Sequence, residues 1–102
     1  MLDRCDAALS SAVRAIELYA SEPSYDDVAT RAAACATDRQ QARETLSRAV
    51  ATKESVELLL ALARVELSLG DLAAARSDAF RVLDLASENA AALELLRQIS
   101  SR

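Results

Sequence analysis

The stretch "LSLGDLAAARSDAF", residues 67–80, decides how this sequence is read. It contains Gly70, the only glycine of the 102-residue chain, set between two runs with apolar residues at helical spacing. Before it, Val56, Leu59, Leu60, Ala63 and Leu67 mark one helix face. After it, Leu72, Ala75, Ala79, Val82 and Leu83 mark another. A glycine just past a last helical turn takes the left-handed conformation without a Cβ penalty. Gly70 is therefore expected to close one helix, and Asp71 to open the next.

Working outward, the same punctuation predicts six helices, over about 2–20, 24–35, 38–51, 55–69, 71–86 and 88–100. The first carries Leu9, Val13 and Ile16 on one face, with Ala8, Ala12 and Ala15 beside them. Pro23 ends that run, because proline cannot continue a helix. Ser24 with Asp27, and Thr37 with Gln40, have capping-box spacing for the second and third helices. The fourth begins around Thr52 to Ser55. Ser87 is the cap expected for the sixth, which carries Leu93, Leu96 and Ile99. Such short connections imply antiparallel neighbours.

Composition agrees. Hydrophobic residues make up 52% and aromatics only 3%, so the apolar fraction is built mainly from alanine and leucine, good helix formers. One proline and one glycine leave little for β-turns. A single all-α domain over 1–102 is expected.

Charge narrows the partners. Twelve Lys and Arg are scattered among sixteen Asp and Glu, for a net charge of −4. A nucleic-acid backbone needs a clustered positive surface, and none exists here. The opening "MLDRCDAALSSAV" carries acids where a signal peptide needs a basic and then an apolar stretch. The run "LLLALA", Leu58–Ala63, is too short to span a bilayer, so no membrane role is expected. Cys5 and Cys35 fit no metal spacing and there is no histidine. They read as reduced, packed thiols in a cytoplasmic protein, with a disulfide as the lesser alternative.

Self-similarity is the strongest signal. "AIELYASEPS" from Ala15 parallels "VLDLASENAA" from Val82. Extended backwards, the match sets Ala8 against Ala42 and Ala75, steps of 34 and 33 residues, with Leu46, Ala49 and Val50 in the middle copy. Between them, Tyr25, Val28 and Ala29 match Leu59, Leu62 and Ala63 at a step of 34, and a further 34 reaches Leu93. Two independent series share nearly one period.

A 34-residue period of paired helices resembles the tetratricopeptide repeat (TPR) family. The best copy holds Leu59, Leu62–Ala63, Gly70–Asp71, Ala75, Ala79 and Val82–Leu83 in the family's places. A weaker one holds Tyr25, Val28–Ala29, Ala42, Leu46 and Ala49–Val50, and the likeness covers almost the whole chain. The departures are Ala32 and Glu66 where an aromatic is usual, and a repeat-ending proline kept only as Pro23. The resemblance implies antiparallel helix-turn-helix units stacked as a short right-handed α-solenoid, with small Ala63 and Ala75 letting one hairpin close tightly. The leading segment matches a second helix of a unit, which implies a piece of a longer protein or array. It also points to self-association through the first helix, by Leu9 and Val13.

No catalytic arrangement emerges. Without histidine the usual general base and commonest metal ligand are missing. Asp26 and Asp27 diverge by about 100° on a helix and read as favourable first-turn acids, not as a pair. Ser10–Ser11 and Ser100–Ser101 have no local base, and one glycine makes no phosphate loop. An enzyme is not expected, nor a cofactor.

Binding of another protein or peptide is the expected role. The resemblance places the concave face on Asp26, Thr30 and Ala33, then Glu57, Leu60, Arg64 and Leu67, then Glu94 and Gln98. Leu60 and Leu67 either receive a partner segment or pack against the next helix pair. Co-chaperones of this family clamp a terminal carboxylate with lysines, asparagines and an arginine. The matching places here carry Asp26, Thr30, Leu60, Arg64, Glu94 and Gln98, which do not reproduce that set. Phe80 and Tyr19 are expected in the core or between repeats. A structural or oligomerisation domain of a larger protein, a regulatory domain attached to an enzyme or transcription factor, and a co-chaperone-type domain without the clamp remain as alternatives.

Overall fold

The computed structural model describes residues 4–101, which form six α-helices and no strand. They are α1 (Arg4–Leu18), α2 (Pro23–Cys35), α3 (Arg39–Thr52), α4 (Val56–Ser68), α5 (Leu72–Leu85) and α6 (Ala90–Ser100). Residues 2 and 3 of the expected first helix lie outside the described residues.

Gly70 does what its solitude suggests. Its φ is +85°, the only positive value among the described residues. The Gly70 N–H donates to the Leu67 carbonyl at 3.1 Å, and the Asp71 N–H to Glu66 at 3.0 Å. This is a Schellman ending, in which two carbonyls orphaned by the end of α4 regain donors. Asp71 then accepts from the Ala74 N–H at 3.2 Å and caps α5. One reversal thus sets α5 against α4.

Several caps differ from expectation by one or two residues. Glu22, not Ser24, caps α2: Pro23 has no N–H to satisfy and occupies the first helical position itself. The Ser24 hydroxyl instead donates to Glu22 Oε1 at 2.9 Å. Asp38, not Thr37, caps α3 by accepting from Gln41 N at 3.0 Å. Asn89, not Ser87, caps α6, accepting from Ala92 N at 2.9 Å. Ser55 caps α4 where the sequence placed it.

Packing has two centres. In the first, α1 lies against α2 and α3, and both α2 and α3 against α4. Leu9, Val13, Ile16, Ala29, Ala33, Leu46, Leu58 and Val65 fill the space between these four helices. In the second, α4, α5 and α6 pack mutually around Leu59, Ala63, Ala75, Ala79, Val82, Leu95 and Ile99. Helix α4 belongs to both, burying Leu58, Leu62 and Val65 one way and Leu59, Leu60, Ala63 and Leu67 the other. Each such leucine contributes about 1.5–3 kcal/mol of transfer free energy. Ala63 and Ala75 share the second core, as their size foretold. The least extent of the molecule, 18 Å, matches two helix layers.

The pairing of α2 with α3 as one hairpin is not realised. These two helices do not pack face to face, and α1 lies against α2 instead. The register of the first helix also shifts by one. Burial recurs through the odd helices as Leu9, Ala42, Ala75; as Val13, Leu46, Ala79; and as Ile16, Ala49, Val82, each step being 33 residues. Ala8, set against Ala42 by sequence, faces solvent. Because Leu9 and Val13 are core residues, they offer no surface for self-association.

Other expectations are corrected. Cys5 and Cys35 are bonded as a disulfide, with Cα atoms 5.7 Å apart, because antiparallel packing brings the start of α1 to the end of α2. The cytoplasmic expectation drew on free thiols and loses that support. No helix among the described residues is long and apolar enough to cross a membrane. Tyr19 and Phe80, expected inside, are 62% and 52% exposed. On α6 the buried face is Ala92, Leu95 and Ile99, while Leu93 is 51% exposed: the last helix has a neighbour on one side only.

Candidate peptide-binding cleft

The even helices α2, α4 and α6 lie side by side, with α4 in the middle. Between α4 and α6 is a cleft of about 320 Å³ lined by Arg64, Leu67, Ser68, Ala91, Glu94, Leu95 and Gln98. A smaller depression of about 70 Å³ lies between α2 and α4, against Thr30, Ala33, Ala34, Arg39, Ala61, Arg64 and Val65. Arg64 borders both. Helical spacing explains the grouping, since residues 64, 67 and 68 on α4 and 91, 94, 95 and 98 on α6 are i, i+3, i+4 neighbours.

The expected site residues divide into three groups. Arg64, Leu67, Glu94 and Gln98 meet in the larger cleft. Thr30 borders the smaller one, its hydroxyl donating to the Asp26 carbonyl at 2.9 Å and weakly to that of Glu57 at 3.5 Å. Glu57 itself is exposed. Asp26 and Leu60 are not available to a ligand. Leu60 is buried in the second core, and Asp26 is buried with Oδ2 3.0 Å from Lys53 Nζ. Leu67 is also counted in that core, so its contribution to the cleft is one edge of a packed side chain.

Sequence reasoning missed Ala91 and Leu95, which supply much of the floor, and exposed Ser68 at the edge. The spacing 91, 94, 95, 98 carries the signal, overlaid by the larger apolar residues Leu93, Leu96 and Ile99 on the same helix.

The rim is polar and mostly committed. Glu94 accepts from Arg97 Nε at 2.9 Å and from Gln98 Nε2 at 3.3 Å. The Arg97 guanidinium holds the Glu94 carboxyl below its ordinary range, and the Gln98 bond adds to this. Arg39 donates to the Ala33 carbonyl at 3.1 Å. Arg64 is different: it is exposed and makes no ion pair among the described residues. An apolar floor beneath one uncommitted guanidinium can take an apolar side chain and orient it through a carbonyl or carboxylate. A volume of about 320 Å³ is at the small end for ligand pockets and suits one or two side chains. No three His, Cys, Asp or Glu among the described residues are grouped to hold a metal.

No family model matches the chain, no curated protein is similar to it, and no solved structure matches the fold.

Proposed function

We propose that this chain is a non-catalytic protein-protein interaction module, a scaffold or adaptor that receives a partner's peptide or helix in the α4–α6 cleft. The observation that carries this reading is Arg64, a cation with no ion pair among the described residues, beside the apolar floor of Leu67, Ala91 and Leu95. In this reading the molecule is a short TPR-like stack. Its support is the burial pattern recurring every 33 residues through α1, α3 and α5, together with the tight hairpin at Gly70. The even helices then form the concave face, and the partner is a protein in the same compartment.

The test is selection of displayed peptides on the intact chain, followed by affinity measurement on Arg64→Glu and Gln98→Arg variants. Both side chains are exposed, so folding is expected to be unaffected. Selected peptides should lose at least about tenfold in affinity, or about 1.4 kcal/mol, on either variant. Peptides that bind all three proteins equally would remove the cleft from consideration.

A further inference from the structure

A second groove opens on the other side of α4. Helices α3 and α5 both pack on α4 and make little contact with each other. The gap between them is a cavity of about 530 Å³, with Leu59 of α4 and Val50 of α3 among its apolar lining and Phe80 and Asp84 of α5 along one wall. Two of its residues differ in kind from their counterparts 33 and 66 residues earlier in the odd helices. At the exposed position filled by Arg14 in α1 and Ser47 in α3, α5 carries Phe80, an aromatic 52% open to solvent. At the position filled by buried Ala12 and Thr45, α5 carries Asp78, whose Oδ2 is buried without a hydrogen-bond partner. Packing did not demand Phe80, since the two preceding helices carry no aromatic at that position, and both residues line this one cavity.

Its charge is unbalanced. Glu54 forms a two-point ion pair with Arg81 and so neutralises the one base present. Asp84 makes no ion pair among the described residues, while the Asp78 carboxyl is shared with Glu66 of α4.

We propose that the groove between α3 and α5 docks a basic segment of a partner protein, with a lysine or arginine head held against the Phe80 ring and the Asp84 carboxylate, which share one face of α5. An aromatic face beside carboxylates attracts a cation by its quadrupole as well as by charge. The aliphatic stem of the same side chain lies along Val50 and Leu59, as long basic residues do on apolar surface. This site is independent of the cleft beside Arg64.

The probe is an end-capped peptide of alternating lysine and leucine, titrated into the isotope-labelled chain and followed by amide chemical shifts. The same peptide with glutamate for lysine is the control. Saturable shifts centred on Phe80, Asp84 and Val50 are expected, weakening with salt. Phe80→Ser restores the residue type of α3, and Asp84→Asn removes one charge. Each should weaken binding by about tenfold while Arg64→Ala leaves it unchanged. Shifts centred on α6, equal binding of the glutamate peptide, equal binding by both groove variants, or no saturable shift at millimolar peptide would each overturn the proposal.

Discussion

The carboxylate of Asp6 accepts hydrogen bonds from both the backbone N–H and the hydroxyl of Thr37, at 3.0 and 3.1 Å, across a separation of 31 residues. This buried acid near the start of α1 thereby fixes the turn between α2 and α3. It also explains the cap of α3. With Thr37 engaged by Asp6, the neighbouring Asp38 turns to the helix N-terminus instead. Asp6→Ala leaves the Thr37 N–H without its acceptor and should cost about 1–3 kcal/mol in urea denaturation. Thr37→Val, which loses only the hydroxyl bond, should cost less; an equal or larger loss would show that the hydroxyl dominates.

The Cys5–Cys35 bond lies beside this contact and closes the hairpin of α1 and α2 over a separation of 30 residues. Chain-entropy arguments give such a loop about 3.5 kcal/mol. Reduction should therefore lower stability by roughly this amount while leaving the far-ultraviolet helical signal intact, because Leu9, Val13 and Ile16 still hold α1 in the first core. Loss of the helical signal on reduction alone would show that these contacts do not suffice.

Glu66 of α4 and Asp78 of α5 bring two carboxyl groups together inside the second hairpin, each with a buried oxygen lacking a hydrogen-bond partner. Burial pushes the Glu66 carboxyl up to about 8, and the Asp78 carboxyl beside it adds to the rise. Arg43 of α3 opposes it but is bonded to Asp71 at 2.9 Å. Folded Glu66 keeps its proton where an unfolded glutamate, at 4.5, has lost it. Its favourable contribution is thus complete below pH 4.5 and is lost as pH rises to about 8. Glu66→Gln should flatten that decline and stabilise the protein at pH 8 by at most about 4 kcal/mol. An unchanged pH profile would show that the two carboxyls are separately solvated.

At Gly70 an added Cβ would meet nothing within 4 Å, so any cost of substitution arises from the backbone alone. With φ at +85°, Gly70→Ala should destabilise by about 1–2 kcal/mol, whereas Gly70→Asn should cost less, asparagine being more tolerant of this region. Equal losses for both would point to side-chain crowding after all.

How far the sequence could be read depended on how local the cause was. Helices α1 to α6 were legible because alanine, leucine and a 3.6-residue period act within one segment, and Gly70 and Asp71 marked their reversal without help. The caps at Glu22, Asp38 and Asn89 were missed narrowly, since each has a rival oxygen within two residues. In the cleft, Arg64, Leu67, Glu94 and Gln98 were grouped by the family resemblance and do lie together, whereas Leu60 turns inward because α5 and α6 cover it.

The amino-acid order determined an all-helical chain, its six segments, the reversal at residue 70 and the near-33-residue recurrence, because propensity, periodicity and turn chemistry act between near neighbours. Tertiary structure alone decided that α1 rather than α3 lies against α2, that Cys5 meets Cys35, that Glu66 faces Asp78, and that Phe80 stays in solvent. Those outcomes join residues from separate helices. They depend on how whole helix faces compete for the same partner, which no single stretch of sequence encodes.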